Sequence, residues 1–501
     1  MTFELNKKQQ LTIHLLISFI SQDDDKVFYL MGYAGTGKTF LICKIIRDLL
    51  LADKMDHIFV CAPTHKALKV MESYLKSNLT PVEQINFLSK LSFMTIHKLL
   101  EFKPIIIAED GSKVFRSIKE SKFLKQMENK LIIIDECSMI SKEMICELKK
   151  YTEFYPIKII FLGDRKQLPP IGEPESLIFT DIPKDYKYHI LLDEVMRTNF
   201  PDIKEVCTII RNWDQKDSLI KLLLPVYNKK VPKKTFKMYH KKKNYTKSTW
   251  FKNFIKKMES GDIPIILTWK NSTSDKYNDM IRKYVHKSLD LNNYVIGDYA
   301  MFSNYYISPI DGTTFYTSDM IKILNIMTEE KILHDWETAI IKEPKTIIEK
   351  ALNIVLRKIS KQKNKFKIDV LTVERIHSDV MSIINTNTKT HIIQTIHRND
   401  LENYHIMLEY VQEHIEFFFK KYKSEQLTSN LWDIFHKKLI DPYSELNFGY
   451  SITTHKAQGS TFKTVMIDVE DIGDNPNLNE LQKALYTAVG RASDELGFIL
   501  G

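Results

Sequence analysis

The chain has 501 residues, 44% of them hydrophobic and 27% charged, with a formal net charge of +9 at neutral pH. That length holds about three domains, the apolar content is ordinary for a packed protein, and the positive balance admits either a polyanionic partner or a lysine-rich solvated surface. No run reaches the ~18 apolar residues of a membrane-spanning helix, no secretory leader is expected, and Cys43, Cys61, Cys137, Cys146 and Cys207 form neither a C-x-x-C pair nor a zinc spacing, so a reduced, intracellular setting is expected.

Leu5-Asn6-Lys7-Lys8-Gln9-Gln10 leads into a helical pattern through Leu11, Leu15, Ile17 and Ile20. Residues 27–31 then read as a short apolar strand, and 40–51 as an apolar helix. Between them stands Gly32-Tyr33-Ala34-Gly35-Thr36-Gly37-Lys38-Thr39, a G-x-x-x-x-G-K-T pattern. Strand, glycine-rich loop and helix together are the context that a phosphate-binding loop requires. The glycines let backbone N–H groups turn inward around a polyphosphate, Lys38 reaches the β and γ phosphates, and Thr39 holds a Mg²⁺ ion. The helix starting at Lys38 adds the partial positive charge of its N-terminus.

Residues 57–62 read as the next strand, ended by Pro63-Thr64-His65-Lys66, with a helix over 67–75. Phe93-Met94-Thr95-Ile96-His97 follows. Glu109-Asp110-Gly111-Ser112 lies between β-prone runs, and an Asp-Gly in that position predicts a hairpin. Leu131-Ile132-Ile133-Ile134 is wholly apolar, as in a parallel sheet covered on both faces, and delivers Asp135-Glu136 to its carboxyl end. Residues 157–162 form a second such strand, ending in Gly163-Asp164-Arg165-Lys166-Gln167-Leu168-Pro169-Pro170. Open α/β sheets bind ligands at that edge. A carboxylate at Asp135 suits Mg²⁺, Glu136 suits a base for the attacking water, and Gln167 suits a hydrogen bond to the γ phosphate or that water. Phosphoryl transfer also calls for an arginine near the developing charge; Arg197 and Arg491 are the two candidates.

Beyond residue 200 come lysine clusters near 229–243, a strand over 263–269 and a helix through Asp275, Asn278 and Arg282. Residues 291–440 read as an insertion, with strands at 320–326 and 367–373 and charged helices near 338–360 and 400–421. A strand over 448–453 leads into Thr454-His455-Lys456-Ala457-Gln458-Gly459-Ser460-Thr461. Thr64, His65, Thr95, His97, Thr454, His455 and Lys456 place small hydroxyl, imidazole or ammonium groups at strand ends. Such groups contact phosphates without reading sequence, and serve equally as caps.

Taken together, these residues resemble the superfamily 1 helicases. Gly32 to Thr39 looks like motif I, Ala62 to Ala67 like motif Ia, Thr95-Ile96-His97 like Ib, Asp135 to Met139 like II, and Gly163-Asp164 with Gln167 to Pro170 like III. Arg197 matches the motif IV arginine, residues 453–461 resemble motif V and 485–492 motif VI. The pattern is nearest to subgroup B, the RecD/Dda-like set, and best to the Dda-like helicases of T-even phages. The resemblance implies an α/β protein with two RecA-like P-loop NTPase domains, a β-hairpin insertion (1B) and an SH3-like insertion (2B) with added helices. Domain 1A is placed at 1–200, with 1B at 99–124; domain 2A at 201–290 and 441–501; domain 2B at 291–440. ATP with Mg²⁺ is implied, with Gln9 reading adenine, and Gly32, Ala34, Gly35, Thr36, Gly37, Lys38, Thr39, Gln458 and Gly459 holding nucleotide. Nucleic-acid contact is implied at Pro63, Thr64, His65, Thr95, His97, Trp269, Asn271, Thr454, His455 and Lys456.

The resulting expectation is a monomeric ATP-dependent DNA helicase moving 5′→3′ on single-stranded DNA and splitting fork duplexes, alongside single-strand-binding or replication proteins, in a cell's cytoplasm or, for a viral protein, that of the host. The rivals are a translocase that strips proteins from nucleic acid without unwinding, and a nucleotide-gated binding switch. A pure binder has no use for the water-activating set of Glu136 and Gln167 with an arginine.

Overall fold

Uninterrupted apolar strands need cover on both faces, and the protein supplies it. The computed structural model describes residues 5–22, 25–87, 89–117, 121–125, 130–170, 172–194, 200–229, 234–289, 291–376 and 389–501. Among these, six parallel strands stand in the order Leu91–Thr95, His57–Ala62, Lys130–Ile134, Ile157–Gly163, Val27–Gly32, His189–Leu192. Side chains alternate across the pleat. Leu131 and Ile133 enter the core beneath helix Lys38–Leu51, while Ile132 and Ile134 enter the opposite core with Ile145 and Leu148 of helix Lys142–Phe154. The phosphate-loop strand sits between Ile157–Gly163 and His189–Leu192, so its loop opens at the carboxyl edge of the sheet.

A second sheet of five parallel strands runs Ser451–Thr453, Ile265–Thr268, Phe462–Asp468, Ala492–Leu500, Phe236–His240. Helices Pro201–Asn212 and Leu478–Val489 share its core through Ile203, Val206, Ile210, Leu481 and Leu485. The architecture is α/β with parallel sheets.

Between the strands of the second sheet the chain builds a third, antiparallel one, ordered Thr390–Ile396, Lys365–Ile376, Met320–Ile332, Tyr299–Phe302, Leu446–Phe448. Its two edges approach each other at Ser444, whose N–H donates to the Gln394 carbonyl at 2.7 Å and whose carbonyl accepts from Thr395 Oγ1 at 2.8 Å. Helices Ile347–Ile359, Leu401–Tyr422 and Glu425–Ile434, with a wide turn at Phe435–Ile440, pack on Phe366, Ile368 and Ile396 of that sheet.

Three expectations need correction. The single strand read over 448–453 is two strands in different sheets. Asn278 Oδ1 accepts from the N–H groups of Tyr450 and Ser451 at 3.1 and 2.8 Å, so a side chain takes the place of a sheet partner where the chain turns. In consequence Leu446–Phe448 pairs within the inserted sheet, beyond the boundary placed at residue 440. The strands read at 320–326 and 367–373 run over Met320–Ile332 and Lys365–Ile376; past Ile326 the first is mostly exposed and carries Thr328, Glu329, Glu330 and Lys331, which leave no apolar alternation to read.

The hairpin forms between Phe102–Ile106 and Lys113–Ser117. Its connection is six residues, 107–112, and not a two-residue Asp-Gly turn. Asp110 Oδ1 accepts from Ser112 N–H at 2.9 Å, and Gly111 N–H donates to the Ile107 carbonyl at 2.8 Å. An aspartate side chain that bonds the backbone two residues on is a turn of its own, and it lengthens the loop.

Candidate nucleotide site

The glycines of the phosphate loop are there for geometry. Gly35 and Gly37 have left-handed backbones, φ +79° and +84°, which other residues adopt at a cost. A Cβ on Gly32 would stand 2.8 Å from Thr36 Oγ1 and 2.9 Å from the Leu192 side chain. Lys38 reaches back across the loop, donating to the carbonyls of Gly32 at 2.6 Å and Tyr33 at 3.2 Å. Its ammonium is thus held inside the loop that the glycines shape.

Around this loop lies a cavity of about 340 Å³. Its polar lining is Ala34 to Thr39, Asp135, Glu136, Gln167 and Arg491. Its apolar lining is Leu5, Phe40, Val70 and Tyr74, and the rings of Phe40 and Tyr74 meet edge to face at 5.9 Å. A phosphate chain suits the polar groups and a flat base the apolar ones. The sequence reading had no signal for this apolar lining beyond Phe40, next to the motif.

Thr39 Oγ1 lies 3.3 Å from Asp135 Oδ2. Burial, then the neighbouring Glu136 carboxylate, pushes the Asp135 carboxyl up to about 6, and a cation at that point would hold it ionised. Both donors are oxygens, the set that suits Mg²⁺. Among the described residues no group of three or more His, Cys, Asp or Glu is placed to hold a metal, so the remaining ligands of such an ion would be phosphate oxygens and water. Glu136 has a left-handed backbone, φ +51°, directly after the strand, a conformation that a non-glycine residue holds only against strain.

Gln9 is buried and lines the cavity, its Nε2 donating to the Thr36 carbonyl at 3.4 Å. It also closes the capping box with Asn6 at the start of helix Lys7–Ser21. Arg491 directly precedes strand Ala492–Leu500 of the second sheet yet lines the same cavity; it is buried, and donates to the carbonyls of Thr487 at 3.0 Å and Ser460 at 3.2 Å. The other candidate arginine, Arg197, lies outside the described residues. Gln458 and Gly459 do not line the cavity. Gln458 Nε2 donates to the Leu168 carbonyl at 3.3 Å, and Gly459 faces Thr64, 3.6 Å from Thr64 Oγ1 to the site of a Cβ. The two residues stand where the parallel sheets meet, because their loop leaves the edge strand Ser451–Thr453 toward the first sheet.

Two residues beside the cavity were given no role in the sequence reading, although Tyr486 falls within the stretch 485–492. Arg211, on helix Pro201–Asn212, stacks its guanidinium 3.8 Å from the centre of the Tyr33 ring in the phosphate loop. The Tyr486 hydroxyl accepts from the Ala34 N–H at 3.0 Å. Neither belongs to the contiguous pattern around residue 38; the topology brings both across from the second sheet.

The nucleic-acid candidates divide by surroundings. Thr64 and Thr95 cap helices, accepting from Ala67 N–H at 3.4 Å and Lys98 N–H at 3.3 Å. Pro63 is half-buried before Thr64. His65 stacks on Tyr316 of the inserted region, centroids 3.8 Å apart, and burial, then Lys69, pushes it down to about 4. His97 lies 5.3 Å from the ring of hairpin residue Phe115. Trp269 and His455 face each other at 4.9 Å. Asn271 and Lys456 line a polar cleft of about 230 Å³. Thr454 is fully buried, its hydroxyl donating to the Thr268 carbonyl at 3.2 Å, so it holds two strands together and presents nothing to a ligand.

Residues 17–173 match the family described as an AAA domain, and residues 448–499 the family described as a UvrD-like helicase C-terminal domain. The chain is 55% identical over 495 residues to the uncharacterized protein R530 of Acanthamoeba polyphaga mimivirus, covering 99% of each. It belongs to one family with that viral protein. The two domain matches and the RecD relative support a helicase of superfamily 1, and the chain is an NTP-hydrolysing enzyme. It is also 28% identical over 242 residues to the RecBCD enzyme subunit RecD of Buchnera aphidicola, covering 42% of this chain and 38% of that relative's length. Among solved structures it is similar to Pif1 helicase from Bacteroides in complex with ADP-AlF3 and ssDNA, at 15% identity and a TM-score of 0.46, over 99% of this chain and 92% of that one. Among the described residues no helix is long and apolar enough to cross a membrane.

Proposed function

We propose that the protein is an ATP-dependent DNA helicase that moves 5′→3′ along single-stranded DNA and separates the duplex ahead. The observation that carries the reading is the shared cavity: Arg491, between helix Leu478–Val489 and strand Ala492–Leu500, and Lys38, at the start of helix Lys38–Leu51, line one space. A site assembled from two bodies closes when nucleotide binds and relaxes after hydrolysis, which is what a motor needs. The two parallel sheets are then RecA-like domains 1A and 2A, the hairpin at Phe102–Ser117 is 1B, and the curled antiparallel sheet is the SH3-like 2B with its added helices.

In this reading the N–H groups of residues 34–39 and the Lys38 ammonium bind the phosphates of ATP. Thr39 and Asp135 hold Mg²⁺, which neutralises charge on the phosphate oxygens. Glu136 accepts a proton from the attacking water, Gln167 orients that water, and Arg491 stabilises charge on the transferred group. Gln9 and the apolar wall of Phe40 and Tyr74 seat the base. The single strand of DNA contacts Thr64, His65, His97, Trp269, Asn271, His455 and Lys456. A relative 27% identical over 180 residues, an ATP-dependent DNA helicase of Saccharomyces cerevisiae, acts on DNA by its name. A monomer is sufficient for this cycle, acting in replication, recombination or repair with single-strand-binding proteins as neighbours, inside the cell or, for a viral protein, in the cytoplasm of the host.

The test is unwinding of 5′-tailed, 3′-tailed and blunt duplexes side by side with ATP and Mg²⁺. Release from the 5′-tailed duplex alone is expected. ATP turnover with no strand release from any of the three would favour a translocase, and release from the 3′-tailed duplex would reverse the polarity.

A further inference from the structure

Tyr486 lies on helix Leu478–Val489 and is 2% exposed. Its hydroxyl accepts from the Ala34 N–H in the phosphate loop at 3.0 Å and donates to Asp164 Oδ2 at 2.9 Å. Asp164 ends the strand that delivers Gln167; it is equally buried, and Oδ1 accepts from Lys166 N–H at 3.0 Å. The next residue, Thr487, is fully buried and accepts from Leu168 N–H at 3.3 Å. One turn on, Arg491 donates back to the Thr487 carbonyl at 3.0 Å, and Gly490 packs so closely on Ala34 that a Cβ there would stand 3.3 Å from the Ala34 methyl. One phenol thus ties together the loop that wraps phosphates, the strand end that leads to Gln167, and the helix that presents Arg491.

We propose that Tyr486 is a positioning residue: its hydroxyl docks the Arg491 helix onto the phosphate loop and the Asp164 carboxylate, so that Arg491 is aimed at the transferred phosphate only when the two parallel sheets are closed. The inference rests on the reading of Arg491 given above. Three features support docking over simple filling of space. Both partners of the hydroxyl are polar and on the opposite sheet, where a phenylalanine would fill the volume and serve neither. The two bonds need opposite roles, and a hydroxyl is a group that accepts and donates at one atom. Burial, then the Asp164 carboxylate, pushes the phenol upward, so it stays protonated and keeps the donating role. The bonded amide belongs to the residue between Tyr33 and Gly35, where a change in loop shape moves it directly.

The experiment is steady-state ATP hydrolysis, with and without an oligothymidylate, by wild type, Tyr486→Phe, Arg491→Ala and the double variant. Misplacing a catalytic group by a fraction of its reach costs about tenfold or more in rate, so Tyr486→Phe is expected to lower kcat about tenfold with KM for ATP within about twofold of wild type. In the Arg491→Ala background the same change is expected to cost nothing further, because the hydroxyl acts through that arginine. An unchanged kcat for Tyr486→Phe, a rise in KM alone, or an equal loss in both backgrounds would each overturn the proposal. If Arg491→Ala itself keeps its rate, the catalytic reading of Arg491 fails; a kcat loss in Tyr486→Phe would then still report docking of the loop. Thr487→Val, which keeps shape and removes the acceptor for Leu168 N–H, is the second variant should Tyr486→Phe fold poorly; the same loss in kcat without a change in KM is expected, and wild-type kinetics would count against docking.

Discussion

At the scale of single residues, the polar lining of the cavity makes separable demands. Lys38 is bonded only to loop carbonyls in the described structure, and faces no apolar core. Lys38→Ala is therefore expected to abolish ATP turnover while the thermal unfolding midpoint stays near wild type; normal turnover in a folded variant contradicts its role. Glu136→Gln keeps shape and removes the base, so nucleotide binding is expected to persist while hydrolysis is lost, as read by equilibrium binding alongside turnover. Arg491→Ala removes a charge that sits in the cavity and is worth about 10³–10⁵ in rate where arginines act this way; a loss below about tenfold, with binding intact, assigns it a structural role only. These residues were legible because each sits in a contiguous pattern whose chemistry is local. The roles of Tyr486 and Arg211 were not: their partners, Ala34 and Tyr33, lie 452 and 178 positions away, and only the crossing of the two sheets brings them together. Thr454 shows the opposite failure. Its pattern matched a contact, but a strand neighbour, Thr268, already takes the hydroxyl.

Among elements, the junction between the second sheet and the insertion is built on one buried charge pair. Arg282 Nε and Nη2 donate to both oxygens of Asp298 at 3.0 and 2.8 Å, and its guanidinium covers the Phe448 ring at 3.6 Å. Nη1 and Nη2 also serve the carbonyls of Leu291 and Asn293 at 2.8 and 2.6 Å, where the chain leaves the second sheet. His286 and Tyr450 add further bonds to Asp298. One arginine thus fixes the exit and re-entry of the inserted segment. Removing one partner of a buried pair costs about 3–5 kcal/mol, so Arg282→Met is expected to lower stability by that order in denaturant unfolding; a change under about 1 kcal/mol would mean the junction is held elsewhere. In the sequence, Arg282 read only as one residue of a helix, with Asp275 and Asn278. The apolar parallel strands were plain because both faces are covered, whereas the antiparallel strands were cut short where one face meets water. The strand Thr390–Ile396 and helix Glu425–Ile434 went unread, since their burial depends on partners that the insertion alone supplies.

Over the whole molecule, the hairpin and the insertion meet through residues that do not line the nucleotide cavity. Trp432 Nε1 donates to the Ala108 carbonyl at 3.1 Å, His436 Nε2 donates to the Gly111 carbonyl at 2.9 Å, and Lys113 pairs with Asp441 at 2.8 Å. Gly111 has φ +69°, and a Cβ on it would stand 2.4 Å from the Trp432 ring. The glycine is demanded twice, by backbone and by contact, so Gly111→Ala is expected to lift the hairpin off its support without touching the cavity. If the hairpin separates strands, duplex unwinding falls at least severalfold while single-strand-stimulated ATP turnover stays at the wild-type level; equal unwinding would leave the hairpin a cover for the sheet edge. The Asp-Gly pair marked the hairpin from sequence, but nothing local announced that its tip leans on a tryptophan more than 300 positions later.

The claim on which the rest depends is that one cavity, built from both parallel sheets, turns ATP hydrolysis into movement along a strand. The most direct measurement is steady-state ATP turnover with and without single-stranded DNA, for wild type and Glu136→Gln, at constant Mg²⁺ and salt. Turnover is expected to rise at least tenfold with DNA, since the strand closes the two sheets on the nucleotide and brings Arg491 into place, and to vanish in Glu136→Gln at any DNA concentration. Turnover that is equal with and without DNA, or that survives the loss of Glu136, would contradict the coupling.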